Sequence, residues 1–305
     1  MSASRILVVG SVALDSVRTP FGETVETLGG SASYFSLSAQ FFAPVCLVAV
    51  VGDDFTDEHR ESLRSPDIDL CGLEVSAGST FRWSGEYGYD LNECRTLSTC
   101  LNVFESFKPK IPPSLRRSDY VFLANIDPVL QREVLEQIDR PKLVVCDTMN
   151  FWIRGRREEL LKTIERVDIL ILNHAEAREL AGEANVIVAA RAILGMGPKT
   201  VVVKKGEHGA FLISSDLFFA APAYPVDLIY DPTGAGDSFA GGFVGYLAMV
   251  GDHHPDRLRR AVVWGTVMAS FAVERFSVGG LCRATHESIR ERFSRLREIS
   301  QFETD

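Results

Sequence analysis

The chain has 305 residues, of which 46% are hydrophobic, and a formal net charge of −9 at pH 7. This length and composition suffice for one large hydrophobic core and exclude a short binding module. The acidic balance, with no block of Lys or Arg, argues against a nucleic-acid partner, so any phosphate that the protein handles belongs to a small molecule. No apolar stretch reaches the roughly 20 residues that cross a bilayer, so we expect a cytoplasmic protein with no membrane partner.

Cysteine usage favours a reducing compartment over a disulfide framework. The six cysteines form no Cys-x-x-Cys motif, and most lie in apolar runs where a thiol packs as a small hydrophobe. Cys94 and Cys100 are the exception, because a hairpin between them would bring the two thiols together.

Short apolar runs alternate with helical segments along most of the chain. The predicted strands lie at residues 6–9, 45–51, 120–125, 143–147, 169–172 and 200–204. The predicted helices lie at residues 33–42, 130–138, 158–167, 175–181, 186–194, 240–250 and 255–275. Continuous apolar strands separated by helices indicate a parallel sheet that is covered on both faces. We therefore expect an α/β fold, a doubly wound and mostly parallel sheet flanked by helices, in a single domain over residues 1–305.

Two segments interrupt this alternation, at about residues 12–27 and 73–107. The second is rich in aromatic and β-branched residues, is punctuated by glycine and has little helical period. It predicts antiparallel strands outside the main sheet. From the residues alone, this insert is either a decorated sheet edge or a subunit contact.

Asn173 and Glu176 follow the predicted strand at 169–172, so they lie at the carboxyl end of a parallel strand, where open α/β sheets bind ligands. Their oxygens suit a hydrated Mg²⁺ ion that bridges nucleotide phosphates. An ordinary helix start, with Asn173 as the N-cap and Glu176 in the first turn, explains the same pair without a metal.

A glycine-rich turn runs straight into an apolar helix at residues 231–243, Asp-Pro-Thr-Gly-Ala-Gly-Asp-Ser-Phe-Ala-Gly-Gly-Phe. Gly234, Ala235 and Gly236 let the backbone approach a ligand, and the unpaired N–H groups of a helix start favour an anion. Asp237 at this helix start is expected to stay ionised and to accept the proton of a substrate hydroxyl. An anion cradle beside a base predicts phosphoryl transfer to an alcohol, whereas the alternative is a glycine-softened turn capped by an Asp.

The run from Asp231 to Asp237 resembles the C-terminal signature of the ribokinase-like, or PfkB, family of carbohydrate and nucleoside kinases, Asp-Thr-x-Gly-Ala-Gly-Asp, with Pro232 and Thr233 in the variable positions. The resemblance implies a ribokinase-like fold and transfer of the ATP γ-phosphoryl group to a hydroxyl of a small sugar. It implies Asp237 as the base and Gly234 to Gly236 as the anion hole. It also implies that the insert is a β-stranded lid over the substrate that often forms a homodimer clasp.

Further positions match the family on the acceptor side. Asp15, just after the first strand, and the Gly29-Gly30 motif correspond to substrate-binding positions. Members commonly have Asn four residues after the second Gly, where this chain has Tyr34, so that sugar contact is altered or comes from elsewhere. Gly52-Asp53-Asp54 resembles another family element, with a turn on leaving the sheet as the alternative.

The nucleotide side is matched by Asn173 and Glu176, which resemble the family's Asn-x-x-Glu magnesium element, and by a Gly-x-x-Gly turn. In that turn Lys204, where the family often has Thr, precedes Gly206 and Gly209, and a solvated hairpin is the alternative reading.

Asp231 and Thr233, with backbone carbonyls near residues 277–280, occupy positions that bind a monovalent cation in some members, which makes K⁺ a candidate cofactor beside ATP and Mg²⁺.

Two rival functions remain open from the sequence. The first is a nucleoside kinase, because Tyr34 and the aromatic residues of the lid are suited to stack on a base. Those lid residues are Phe81, Trp83, Tyr87 and Tyr89. The second is a silent binding protein on the same fold, against which the presence of both the base and the metal-side pair argues.

Overall fold

The computed structural model describes residues 4–301. Its strands are β1 (Ile6–Val9), β2 (Ala13–Thr19), β3 (Gly22–Gly29), β4 (Val45–Gly52), β5 (Ile68–Ser76), β6 (Phe81–Tyr87), β7 (Cys94–Cys100), β8 (Tyr120–Leu123), β9 (Leu143–Asp147), β10 (Ile169–Asn173), β11 (Thr200–Lys204), β12 (Ala210–Ser214) and β13 (Phe218–Ala221). Its helices are α1 (Ser31–Ala39), α2 (Asp57–Ser62), α3 (Pro128–Leu135), α4 (Asn150–Gly155), α5 (Arg157–Ile164), α6 (His174–Ala181), α7 (Val186–Leu194), α8 (Ala235–Val250), α9 (Pro255–Ala272), α10 (Gly279–Arg283) and α11 (His286–Ser300).

Nine strands form the main sheet, in the order β13-β12-β11-β10-β9-β8-β1-β4-β5. The strands from β11 to β5 pair in parallel, and β12 is antiparallel to both of its neighbours. Alternate residues of β1 enter two separate cores, with Ile6 and Val8 in one and Leu7 and Val9 in the other. A hydrophobic core covers each face of the sheet, which explains why its strands are apolar throughout. The predicted doubly wound α/β fold is confirmed.

The second segment of the predicted lid begins later than the sequence indicated. Residues 73–76 belong to β5, which pairs in parallel with β4 at the edge of the main sheet, and the lid resumes at Phe81. Strand β5 was not recognised in the sequence because its residues are mostly exposed or partly buried. An edge strand lacks the continuous apolar run of a central one. The β12–β13 hairpin was also missed.

The segments predicted to form the lid build a second sheet, called the lid below, with the strand order β3-β2-β6-β7. Both of its hairpins are antiparallel, but β2 and β6 pair in parallel, which corrects the expectation of antiparallel strands alone. The reason is directional: β2 follows β1 and β6 follows β5, and both pass over the same carboxyl edge of the parallel sheet.

Cys94 and Cys100 cannot pair across a hairpin. They stand at opposite ends of β7, and an extended strand of this length holds them about 20 Å apart. All six cysteines are free thiols. Between residues 4 and 301, no helix combines the length and the apolar character needed to cross a membrane.

Candidate active site

The glycine-rich turn forms the start of α8, with Gly234 as its N-cap. Gly234 has φ +73°, a left-handed conformation that suits glycine, and a Cβ there would collide with the ring of Tyr34. The N–H of Ala235 donates to the carbonyl of Pro232 at 3.2 Å. This bond uses the amide of Ala235 within the turn, so of the predicted anion hole the amides of Gly234 and Gly236 are left for a ligand, together with that of Asp237.

Asp237 lies partly buried in the first turn of α8, near Asp147 and Lys204 at the ends of the sheet strands. Burial, with the negative charge of Asp147 added, raises its pKa to about 7, although the ammonium of Lys204 opposes the rise. The sequence predicted that the helix start keeps this carboxylate ionised, but a helix terminus contributes only about 0.3–1 kcal/mol and burial outweighs it. A carboxyl with a pKa near neutrality suits a general base.

Lys204 and Asp147 form an ion pair beside this turn. Nζ of Lys204 lies 3.0 Å from Oδ2 of Asp147, and the side chains are 17% and 5% exposed. A Cβ at Gly236 would lie 2.8 Å from the same Nζ, so the glycine makes room for the ammonium. Sequence reasoning missed Asp147, although a carboxylate at the end of an apolar parallel strand marks the ligand-binding edge of such a sheet.

Asn173 and Glu176 form the helix cap that the sequence offered as an alternative to a metal site. Asn173 Oδ1 accepts the N–H groups of Ala175 and Glu176, each at 2.9 Å, and Glu176 Oε2 accepts the N–H of Asn173 at 2.7 Å. Burial raises the pKa of Glu176 to about 7, against the opposing charge of Lys204.

This donor set fits a hydrated Mg²⁺ ion rather than a protein-caged one. The cap already occupies Asn173 Oδ1, which leaves the Glu176 carboxylate as the group that would hold the ion, through water. In the part of the chain that the structure describes, no three His, Cys, Asp or Glu side chains are grouped to bind a metal. Mg²⁺ usually keeps several waters and takes its other ligands from nucleotide phosphates, so the arrangement is compatible with it.

The acceptor-side residues converge on the same turn. Asp15, on β2, lies against Gly29 at the end of β3, and Gly30 is the N-cap of α1. Burial raises the pKa of Asp15 to about 7, partly offset by the N–H of Gly30. Tyr34, in α1, packs its ring on Gly234.

Of the four lid aromatic residues, Tyr87 contacts the site and Trp83 lies on the same face of the lid. β2 and β6 pair in parallel with Asp15 opposite Trp83, so these two side chains share a face of the lid. Tyr87, four residues further on, lies on the same face, and Thr233 Oγ1 is 3.3 Å from its hydroxyl. Phe81 instead stacks on Phe104, and Tyr89 is 90% exposed, so neither is placed to stack on a substrate.

The Gly-x-x-Gly segment is a hairpin turn that the lid contacts. Gly206 and Gly209 lie between the antiparallel strands β11 and β12, directly after Lys204. Asn92, from the loop between β6 and β7, lies against Gly206. The segment therefore has the geometry of a hairpin turn, and its role in nucleotide binding stays a prediction. The lid extends from the acceptor side to this turn.

Asp231 ties two loops together. Its Oδ1 accepts the N–H of Thr233 at 2.9 Å, and its Oδ2 accepts the N–H of Ser277 at 3.1 Å. The carboxylate is fully buried, so these bonds fix the turn before α8 to the loop after α9. A monovalent cation at this point stays a prediction.

Comparison with known proteins identifies the family. Residues 4–284 match the model of the pfkB family of carbohydrate kinases. The chain belongs to this family. It is 31% identical over 246 residues to the cytidine kinase of Thermococcus kodakarensis, an alignment that covers 78% of this chain and 87% of the relative. It is therefore a phosphotransferase that acts on a hydroxyl group, with a sugar or nucleoside as its class of substrate.

Solved structures of the family share the fold. The nucleoside kinase of Methanocaldococcus jannaschii aligns with a TM-score of 0.74 and 21% identity, over 97% of this chain and 100% of that one. The ribokinase of Thermotoga maritima aligns with a TM-score of 0.75 and 23% identity, over 95% and 99%. At these identities the likeness concerns the architecture, not the substrate.

Proposed function

We propose that this PfkB family member uses ATP to phosphorylate a hydroxyl of a sugar ring, either in a free sugar or in a nucleoside, with Asp237 as the general base. The observation that carries the proposal is the convergence of the partly buried Asp237, the amides at the start of α8 and the acceptor-side Asp15 on one edge of the sheet. An anion site and a carboxyl with a pKa near 7 stand side by side there.

The proposed reaction is an in-line phosphoryl transfer. The acceptor oxygen forms a bond to the γ-phosphorus, while the bond from that phosphorus to the β,γ-bridging oxygen breaks and its electron pair leaves with ADP. Asp237 takes the acceptor proton, and the amides of Gly236 and Asp237 stabilise the charge on the phosphoryl oxygens. A Mg²⁺ ion, held by Glu176 through water, supplies further charge neutralisation when bound with the nucleotide.

Within this proposal, a nucleoside acceptor has a specific observation in its favour. Trp83 stands in register with Asp15 on the same face of the lid, with its ring over Gly85 and its Nε1 donating to Thr96 Oγ1 at 3.3 Å, so a large aromatic side chain belongs to the lid surface that carries this carboxylate. The relatives include proteins named cytidine kinase and nucleoside kinase, and also ribokinase, so both acceptor classes belong in the test.

The test is coupled ADP release with Mg-ATP across cytidine, adenosine, ribose, fructose, myo-inositol and 2-keto-3-deoxygluconate. With the preferred acceptor, Asp237→Asn should lower kcat by about 10²–10⁴-fold and leave ATP binding intact, because only proton acceptance is lost.

Asp256→Asn is the matched control, since Asp256 also lies in the first turn of a helix, α9, but away from this site. It should keep full turnover. Near-normal turnover in Asp237→Asn would refute Asp237 as the base, and ATP binding without turnover on any acceptor would favour a silent binding protein.

A further inference from the structure

The buried ion pair between Lys204 and Asp147 has no part in the mechanism so far. The two residues come from β11 and β9, which are separated by β10, so the pair spans the strand end that carries Asn173. A buried ion pair contributes little net stability, because desolvation cancels most of the Coulomb attraction. Because this pair adds little stability and lies at the ligand-binding edge of the sheet, we expect it to act on the ligand rather than to stabilise the fold.

The position of the ammonium group relates it to the anion site. Nζ of Lys204 lies against Gly236, whose amide is one of the donors at the start of α8. Burial alone would lower the pKa of Lys204, but the charges of Asp147, Glu176 and Asp237 raise it. The side chain thus stays protonated and places a positive charge next to the first-turn amides.

We propose that the ammonium of Lys204 contacts the phosphoryl group while it is transferred, and that Asp147 positions Lys204 for this contact. The inference rests on the proposed kinase activity. Lys204 exchanges no proton and forms no bond in the transfer described above, and its role is to offset negative charge on the non-bridging oxygens. Lys204 is then a catalytic residue and Asp147 a positioning residue.

A general phosphate anchor would behave differently from this role. A lysine that holds the α- or β-phosphate binds ADP and ATP alike, whereas one that meets the transferred group distinguishes them. We therefore expect Lys204→Met to bind ADP with near-normal affinity and a non-hydrolysable ATP analogue about tenfold more weakly. This measurement needs no acceptor.

The kinetic test compares variants of the pair with a matched control. Lys204→Met should lower kcat by about 10²–10³-fold, the cost of removing one donor to a developing charge, with the KM of the acceptor changed little. Lys204→Arg, which keeps the charge, should recover part of this loss. Asp147→Asn should lower kcat by about tenfold, because the ammonium remains but is no longer held.

Lys199→Met is the control for the pair. Lys199 lies one residue before the other end of β11, and its Nζ is 2.8 Å from Oδ1 of Asp168, so the variant removes an ion pair of similar length, but exposed and away from the site, beside the same strand. It should leave kcat unchanged. Because Lys204→Met leaves Asp147 buried without a partner, the double variant Lys204→Met/Asp147→Asn provides a second, neutral form if the single one does not fold.

The pH profile separates positioning from a merely structural role. Asp237 is faced by Asp147 from β9 and Lys204 from β11, and its charge also acts on Glu176, Asp15 and Tyr34. Removing Lys204 should move the acid limb of kcat/KM to higher pH, and removing the charge of Asp147 should move it to lower pH. General loosening of the fold would not give opposite shifts.

The outcomes distinguish the two proposals. Wild-type kcat in Lys204→Met, or equal weakening of ADP and the ATP analogue, would overturn the role of Lys204. Acid limbs that move in the same direction would overturn the role of Asp147. Retained turnover in Asp237→Asn would instead refute the base and leave these results on Lys204 standing.

Discussion

Tyr34 buries its hydroxyl with no hydrogen-bond partner among residues 4–301, although it stands where the family commonly has an amide that contacts the sugar. Its side chain is 1% exposed, and the charges that act on it most strongly are those of Asp231 and Asp15. An unpaired buried hydroxyl costs about 1–3 kcal/mol, a cost that a partner on the acceptor would remove.

Tyr34→Phe should therefore separate stability from binding. We expect an unchanged or higher melting temperature, because the unpaired group is gone, and an acceptor KM raised by about tenfold, which corresponds to one lost hydrogen bond of about 1.4 kcal/mol. Thermal melts and acceptor titrations measure the two effects. Tyr120→Phe, at a buried tyrosine on β8, is the control, and an unchanged KM in Tyr34→Phe would assign the hydroxyl no contact with the acceptor.

At the scale of elements, the lid is anchored to the sheet by a small polar cluster where β4 ends and β6 begins. Asp54 Oδ1 accepts the N–H of Thr80 at 2.7 Å and its hydroxyl at 2.6 Å, and Asp54 Oδ2 lies 2.8 Å from Arg82 Nη2. The hydroxyl of Thr80 in turn accepts the N–H of Gly52 at 3.0 Å. The resemblance at residues 52–54 thus falls on the connection between the main sheet and the lid.

Asp54→Ala should loosen this connection and admit water to the site. A lid that closes less often protects the phosphoryl group less well, so we expect kcat/KM for the acceptor to fall about tenfold and more ATP to be lost to hydrolysis. The measurement is the ratio of ADP formed to phosphorylated acceptor formed. Asp53→Ala is the control, because Asp53 makes only a 3.4 Å contact with the N–H of Gly78, and an unchanged ratio in Asp54→Ala would show that the cluster does not govern closure.

The elements also show what the sequence could and could not predict. Strands β1, β9 and β11 and helix α7 were located by apolar runs and periodicity alone, because buried elements are encoded locally. The Asp147–Lys204 pair joins residues 57 positions apart, and the Trp83–Asp15 register depends on lid pairing. Neither leaves a local pattern, so the site could be predicted as single residues but not as an arrangement.

One element-level expectation is still open. The lid edge strand β7 is exposed along its whole length, which is compatible with a second copy pairing against it. The homodimer through the lid therefore remains a prediction, and sedimentation velocity would test it.

At the scale of the whole molecule, the site concentrates negative charge inside an already acidic protein. Burial is the largest cause of the rise in pKa to about 7 for each of three site carboxyl groups, Asp15, Glu176 and Asp237. In the unfolded chain such groups titrate near pH 4. Between about pH 4 and pH 7 the folded protein therefore holds protons that the unfolded chain has released, so these groups make the free energy of unfolding fall as the pH rises.

Asp237→Asn should expose this contribution directly, because the carboxamide cannot ionise. At pH 8 the wild-type protein buries a charge that the variant lacks, so we expect the variant to melt at a higher temperature. At pH 3.5 the carboxyl of Asp237 is protonated in the folded protein and largely protonated in the unfolded chain, so it matches the carboxamide in charge and the difference should nearly disappear. Other carboxylates with an opposite pH dependence, such as Asp54, cancel in the comparison because both proteins carry them. Melting curves of the two proteins at both pH values, with Asp256→Asn beside them, measure the effect. A variant no more stable than wild type at pH 8 would mean that the surroundings of Asp237 solvate its charge, and the base would then titrate nearer its ordinary pKa.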